Sequence, residues 1–333
     1  MQDTIKRVKC KVSNVKDRVK RPPLDTIAQL PTKKKKQLPS IVKRARSKWY
    51  TQAILKELVF KESPLKKQYT RAWFCASVIE RKYGKETSRY CNSKICNVCA
   101  RIRTARLMGK YVKPLQDLGQ LYFTTLTVPN VPKEQLRETC LKLIKTTTNV
   151  VRVIRERKLF KFSGIRKLEV TYNPTMDTYH PHIHLVHNEK IGELIIDEHL
   201  KRNTTSSILA QDTRKMNEND LNEVFKYATK FLIKDSNNKN QLNIYSFALD
   251  EIMIALNMVR TFQPFGEIRA KNNEDDENIE PELIAEIIKD IDFNDIDYFL
   301  WGQNDWISMN TGEVRSNYKP PEKLYIHYKK LIT

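Results

Sequence analysis

Three histidines stand at alternate positions in Tyr179-His-Pro-His-Ile-His-Leu-Val-His187, namely His180, His182 and His184. On a β-strand, residues i, i+2 and i+4 share a face. The three imidazoles then line one surface while Ile183 and Leu185 point into a core. Neutral imidazole is the commonest metal ligand. Just upstream, Ile165-Arg-Lys-Leu-Glu-Val-Thr-Tyr172 also alternates, and Asn173-Pro-Thr-Met-Asp-Thr178 reads as a loop. If the two strands form a hairpin in which Tyr172 meets Tyr179, then Glu169 falls opposite His182, Thr171 opposite His180 and Lys167 opposite His184. Directly opposed residues have Cβ atoms roughly 5 Å apart, so a carboxylate and two imidazoles meet. That mixed O/N set suits Mg²⁺ or Mn²⁺, with positions left open for a phosphate, better than a closed structural zinc site. The bland alternative is a polar strand face with buried or capping histidines.

A second group is made of thiols. Cys91-Asn-Ser-Lys-Ile-Cys96-Asn-Val-Cys99 has C-x4-C-x2-C spacing, and Cys75 lies upstream. Four thiolates at short spacings fit a tetrahedral structural Zn²⁺ site. Disulfides are rare in the cytosol, so metal is preferred over a bridge. The fourth ligand is Cys75 or another residue; Cys10 and Cys140 have no patterned neighbours and read as free thiols. After Cys99, Arg101, Arg103, Arg106 and Lys110 continue on a helix as a phosphate-contacting face.

A third group sits in Asn219-Asp-Leu-Asn-Glu-Val-Phe-Lys-Tyr-Ala-Thr-Lys-Phe-Leu-Ile-Lys234. Asn219 or Asp220 can cap a helix that turns Leu221, Val224, Phe225 and Ala228 inward. Glu223 and Tyr227 are i, i+4 neighbours, and Lys230 follows Tyr227 by three. Beside a metal site, a Tyr oxygen can attack a phosphodiester, a Lys can balance the developing charge and a Glu can take a proton from water. Taken alone, such a Tyr is ordinary helix packing.

The elements that must position these groups follow from patterning. Leu121-Tyr-Phe-Thr-Thr-Leu-Thr-Val128 has the profile of a central strand. A long helix is expected from Lys133 to about Arg157, with Leu136, Leu141, Ile144, Val151 and Ile154 on its apolar side, and a shorter one from Trp49 to Lys61. Strand, helix and hairpin in that order predict an α+β fold, an antiparallel central sheet with helices on one face and a small Cys-rich zinc segment. Residues 192–216 show no pattern. The stretch Pro281–Ile291 reads as an amphipathic helix in an acidic region, and Phe299, Trp301, Trp306 and Tyr318 as terminal strands or packing anchors. Residues 1–48 form a basic arm that carries Lys33, Lys34, Lys35 and Lys36 and too few apolar residues for a core. A helical, Cys-rich segment (49–115), a core (116–235) and a C-terminal region (236–333) complete the expected division.

With 60 Lys and Arg against 39 Asp and Glu, the chain has a formal net charge of +21. That balance calls for a polyanionic partner, DNA first. Neither a bilayer-spanning apolar run nor a signal segment is expected, so the protein is read as cytoplasmic and not membrane-bound. Only 8 glycines occur and no Walker-type motif, which excludes ATP-driven chemistry of the P-loop kind.

Taken together, Thr124-Thr-Leu-Thr-Val-Pro-Asn130, His180-Pro-His-Ile-His-Leu185 and Glu223-x-x-Lys226-Tyr227-x-x-Lys230 resemble the three ordered motifs of HUH endonucleases. Their form is similar to that of the rolling-circle replication initiators (Rep proteins) of small plasmids from Gram-positive bacteria. The cysteine segment is similar to that of the same group, although Asn97 follows Cys96 where Pro is common. The resemblance runs from about Ala72 to Lys234, and makes 116–235 an HUH nuclease core. It implies that His182 and His184 hold a divalent metal, with His180 as ligand or support and Glu169 as the third ligand proposed from the hairpin. It implies that Tyr227 attacks the scissile phosphate to leave a 5′-phosphotyrosine and a 3′-OH primer, and that Glu223 activates water for the terminating cleavage. Lys230 would stabilise charge, and Lys226, with Arg101, Arg103 and the arm lysines, would contact DNA. The implied partners are an origin with a single-stranded nick site, a host helicase and a DNA polymerase.

Three function classes follow. The first is a site-specific single-strand endonuclease and strand transferase that initiates rolling-circle replication. The second is a mobilisation relaxase or single-strand transposase of the same chemistry. The third is a non-enzymatic, zinc-containing DNA-binding regulator in which the histidines are structural.

Overall fold

The structure, a computed structural model, describes residues 40–82, 85–156, 161–217, 220, 224–225, 232–234, 241–268 and 296–330. All of them belong to the compact unit Pro39–Thr333. Lys33 to Lys36, Cys10, Glu223, Lys226, Tyr227, Lys230 and the expected helix at 281–291 lie outside the described residues.

The centre is a five-stranded antiparallel sheet, built from β3 (Tyr122–Thr127), β4 (Gly164–Asn173), β5 (Thr178–His187), β6 (Asp212–Lys215) and β9 (Phe262–Phe265), in the order β6-β3-β5-β4-β9. The β4–β5 hairpin closes with Tyr172 opposite Tyr179, and its register sets Glu169 against His182, Thr171 against His180 and Lys167 against His184. This is the register expected from the alternation alone, because a slip of one residue would turn Ile183 and Leu185 out of the core. Asn173 Oδ1 accepts the amides of Thr175 and Met176 and so folds the connecting turn.

Pro181 sits mid-strand without an N–H to donate. The ladder from β3 ends at Thr127 opposite His182, and the next bridge joins Val131 to Tyr179. Pro181 therefore occupies the gap between them, where no bond to β3 is lost.

Helices cover both faces of this sheet, not one. Leu126, Leu168, Val170, Ile183 and Leu185 point to the face packed by α4 (Lys133–Glu156), α5 (Gly192–Leu200) and α6 (Ser246–Ala255). Phe123, Ile165, Val186 and Phe262, on the histidine side, pack instead against Leu107, Tyr111 and Leu115 of α3 (Asn97–Asp117) and against Val224 and Phe225. The sequence pattern of α3 is dominated by its basic residues, which hides this second apolar stripe. Two further details differ from expectation. Leu141 of α4 is exposed while Cys140 and Leu143 are buried, and the unpatterned stretch 192–216 forms α5 and β6. Gly192 is required there, since a Cβ at that position would lie 1.8 Å from Thr213 Oγ1.

Helix α1 (Ser40–Leu55) starts well before Trp49, and α2 (Lys66–Trp73) follows it. Strands β1 (Val78–Lys82) and β2 (Lys85–Ser88) form a four-stranded sheet with β10 (Ile296–Gly302) and β11 (Asp305–Ser308) in the order β11-β10-β1-β2. Strands from 236–333 thus pair with strands from 49–115, and Trp306 is fully buried, donating its indole N–H to Ala76 O. A small sheet of β7 (Ile233–Lys234), β8 (Leu242–Tyr245) and β12 (Leu324–His327) completes the unit. Among the described residues, no helix is long and apolar enough to cross a membrane.

Candidate metal centres and nucleic-acid site

Strand β5 lies between β3 and β4, so each inward imidazole is flanked by both neighbours. Glu169, His182 and His184 are all buried, and one ligand atom from each lies within 4.8 Å of the others. His182 Nε2 is 3.9 Å from Glu169 Oε1 and His184 Nε2 is 3.8 Å from Glu169 Oε2. Atoms each bound at about 2.1 Å to one small cation lie at most about 4.2 Å apart, so both separations fit a shared ion. The far side of each ring is also fixed. His182 donates from Nδ1 to the His180 carbonyl at 3.1 Å, which leaves the Nε2 lone pair turned to the site. His184 Nδ1 meets the Thr125 hydroxyl at 3.2 Å. Two nitrogens and a carboxylate with their outer hydrogen bonds in place form a donor set that suits Mg²⁺ or Mn²⁺.

His180 is on the same strand face but outside this group. Its half-buried ring stacks on that of His182 at 5.1 Å, and burial, aided by His182, lowers its pKa to about 4. Its carbonyl orients His182, which is a supporting role. His187 and His199 are structural. His187 bonds to Thr124 Oγ1 and to Glu189 O, and burial lowers its pKa to about 4. His199 donates to Thr127 O and accepts from Asn203. Sequence reasoning missed Thr125 as a clamp and missed Asp220. The latter is buried beside the site and bound by Arg214, whose ion pair, with the Asn217 amide, overcomes burial and lowers the Asp220 pKa. Between Asp220 and Leu232, Val224 and Phe225 are the described residues. Both are buried on the histidine side of the sheet, with Thr104 donating to Phe225 O at 2.7 Å and the Phe225 ring 5.9 Å from Phe262.

The thiols also converge. Cys75 follows α2, Cys91 lies in the loop after β2, Cys96 caps α3 and Cys99 is in its first turn. All four are buried with their sulfurs within 4.8 Å of one another, Cys75–Cys99 at 3.5 Å and Cys91–Cys99 at 3.6 Å. Tetrahedral ligation at 2.3 Å separates sulfurs by about 3.8 Å, so the cage has the size of one Zn²⁺. Burial first, then the neighbouring thiols, raise the Cys96 pKa, whereas hydrogen bonds from Cys75, Cys91 and Cys96 lower that of Cys99. Cys91 and Ser93 amides point at sulfurs of Cys75 and Cys91, both at 3.4 Å. Lys48, fully buried, donates to Trp73 O and Ser77 Oγ; burial lowers its pKa to about 8, and the nearby thiols Cys75, Cys96 and Cys91 oppose that shift. Asn97 at the first helical position, where Pro is easily accommodated, spends its N–H on Thr51 Oγ1 at 2.9 Å, a bond that Pro could not make.

Of the expected DNA contacts on α3, Arg103 binds Asn92 through both carbonyls. At 100° per residue, Arg103, Arg106 and Lys110 share one side of the helix and Arg101 lies on the other.

Residues 84–188 match the family described as Replication protein. Among curated proteins, the chain is similar to the Protein rep of Streptococcus pneumoniae, 32% identical over 148 residues, covering 40% of this chain and 44% of that protein. The Protein rep of Staphylococcus aureus is 38% identical over 106 residues, 29% of this chain and 44% of its own, and that of Bacillus amyloliquefaciens 28% identical over 132 residues, 34% and 36%. The chain spans less than half the length of these relatives, and no solved structure matches it. The matched segment holds Cys91, Cys96, Cys99 and the whole histidine strand, and ends before Glu223. Over this segment the chain is similar to the family described as Replication protein and to the curated proteins named Protein rep.

Proposed function

We propose that the chain initiates rolling-circle replication by nicking one strand at a plasmid origin and holding the cut end covalently. The observation that carries this function is the meeting of Glu169, His182 and His184 on the central strands, with both imidazoles turned by outer hydrogen bonds. These residues would hold Mg²⁺ or Mn²⁺, which when bound supplies charge that polarises the scissile phosphate. Tyr227 is the proposed nucleophile. Its oxygen attacks phosphorus, the bond to the 3′ oxygen breaks, and the products are a 5′-phosphotyrosine and a free 3′-OH that can prime a polymerase. Glu223 would accept a proton from water in the final cleavage, and Lys230 would balance negative charge. Burial of Val224 and Phe225, three and two residues before Tyr227, on the histidine side of the sheet supports this assignment. Cys75, Cys91, Cys96 and Cys99 would hold a structural Zn²⁺. Host helicase and polymerase are the expected partners, and the cytoplasm the expected compartment.

The test is nicking of a supercoiled plasmid that carries the cognate origin. Wild type should nick with Mn²⁺ and not with chelator, and His182→Ala and His184→Ala should lose nicking while remaining folded. Normal nicking by both variants would defeat the assignment. Cleavage confined to a transfer origin would move the chain to the mobilisation class, and duplex binding without any nicking to the regulator class.

A further inference from the structure

Helix α1 turns Ser47, Lys48 and Thr51 to its buried side, an unusual choice for a face that packs inward. Lys48 is fully buried, and its ammonium donates to Trp73 O and, at 2.9 Å, to Ser77 Oγ. Those acceptors stand two residues before and two residues after Cys75, so the charged head is held against the segment that brings Cys75 to the thiol cage. Thr51, one turn further along α1, accepts the Asn97 amide at 2.9 Å, next to Cys96. Helix α1 is thereby tied to the cage on the Cys75 side and on the Cys96 side.

A carbonyl and a hydroxyl orient an ammonium but bring no negative charge, and among the described residues no carboxylate pairs with Lys48. Burying a cation without an anion is costly. The groups of acidic character that act on Lys48 are the thiols of Cys75, Cys96 and Cys91. Four thiolates around one Zn²⁺ leave two negative charges in the same interior. The Cys91 and Ser93 amides approach two of the sulfurs but carry only partial charge.

We propose that Lys48 is the counter-ion of the four-thiolate centre, and that it couples metal loading to the seating of α1. Zn²⁺ in the cage is part of the function proposed above, and this role for Lys48 rests on it. The ammonium lowers the cost of burying a doubly negative centre, and that centre removes the cost of burying the ammonium. Coupling of this kind is reciprocal: metal favours α1 seated with Lys48 inside, and α1 seated in that way raises the affinity for metal.

The experiment compares the full-length wild type with two neutral variants. Lys48→Met keeps an unbranched side chain of similar reach, and Lys48→Gln keeps N–H donors for Trp73 O and Ser77 Oγ. Affinity for Zn²⁺ is read by competition with a chromophoric chelator, and thermal midpoints are taken for zinc-loaded and zinc-free protein. Both variants should bind Zn²⁺ about 10- to 100-fold more weakly, while their zinc-free forms melt no lower than the zinc-free wild type. Wild-type affinity in Lys48→Met would overturn the proposal. Wild-type affinity in Lys48→Gln alone would assign the effect to hydrogen bonds and overturn it equally. A zinc-free Lys48→Met form that melts below the zinc-free wild type would reduce Lys48 to a packing residue, and if that variant does not fold, the same two measurements on Lys48→Gln decide. A wild type that takes up no Zn²⁺ removes the cage and the counter-ion together, whereas a zinc-bearing wild type matched in affinity by both variants removes the counter-ion alone.

Discussion

A histidine binds a cation through one ring nitrogen, and the hydrogen bond at the other nitrogen holds the ring to that task. For His184 that bond is the one to Thr125, contributed by the neighbouring strand. Removing it in Thr125→Val should weaken Mn²⁺ binding by about 10- to 100-fold with the fold intact, as titration calorimetry would register; wild-type affinity would show the hydroxyl to be incidental. His187 gives a pH signature. Its pKa falls from 6.5 to about 4 through burial, so between those values the unfolded chain takes up a proton that the folded chain refuses. Stability should therefore be complete above pH 6.5 and decline as pH falls towards 4, by up to about 3 kcal/mol from this residue. Denaturation midpoints at pH 7 and 5 should differ less in His187→Asn than in wild type; equal differences would place the loss elsewhere. Glu169 was legible because strand periodicity and a hairpin register follow from alternation alone. Thr125 was not, because cross-strand partners depend on which strand becomes the other neighbour of β5.

At the scale of elements, α3 joins the two centres. Its first turn supplies Cys96 and Cys99, and its later turns pack Leu107, Tyr111 and Leu115 on the histidine side of the sheet. The protein as purified should carry about one Zn²⁺ per chain, since thiolate cages of this kind hold metal tightly. Cys96→Ser should lose the metal and lower the thermal midpoint, whereas a zinc-free wild type prepared without chelator would refute the cage. The cysteine spacing was readable because thiols at short intervals have few other uses. The phase of α4 was not: Leu143 falls with Leu136, Cys140 and Thr147 on the buried side, whereas Leu141 lies about 160° round the helix from Leu143 and is exposed. Helix α5 escaped notice because it is short and its Ile195 and Ile196 are adjacent, with no repeat to reveal a period.

Across the whole molecule, the C-terminal strands return to the sheet begun by β1 and β2, so the segment that carries Cys75 and Cys91 is framed by residues far away in sequence. Such pairing leaves no local mark, which is why the chain read as four successive pieces. The excess of basic residues agrees with the DNA partner proposed above, and residues 84–188 match a family described as Replication protein. What turns that partner into a substrate is the proposed covalent step, and this can be read in one assay. The full chain is mixed with Mn²⁺ and a single-stranded origin oligonucleotide labelled on the 3′ side of the nick, then resolved under denaturing conditions. A labelled protein band should form in wild type, map to the peptide that contains Tyr227, and vanish in Tyr227→Phe and in His182→Ala. A band that survives in Tyr227→Phe, or forms equally well in chelator, would contradict the account.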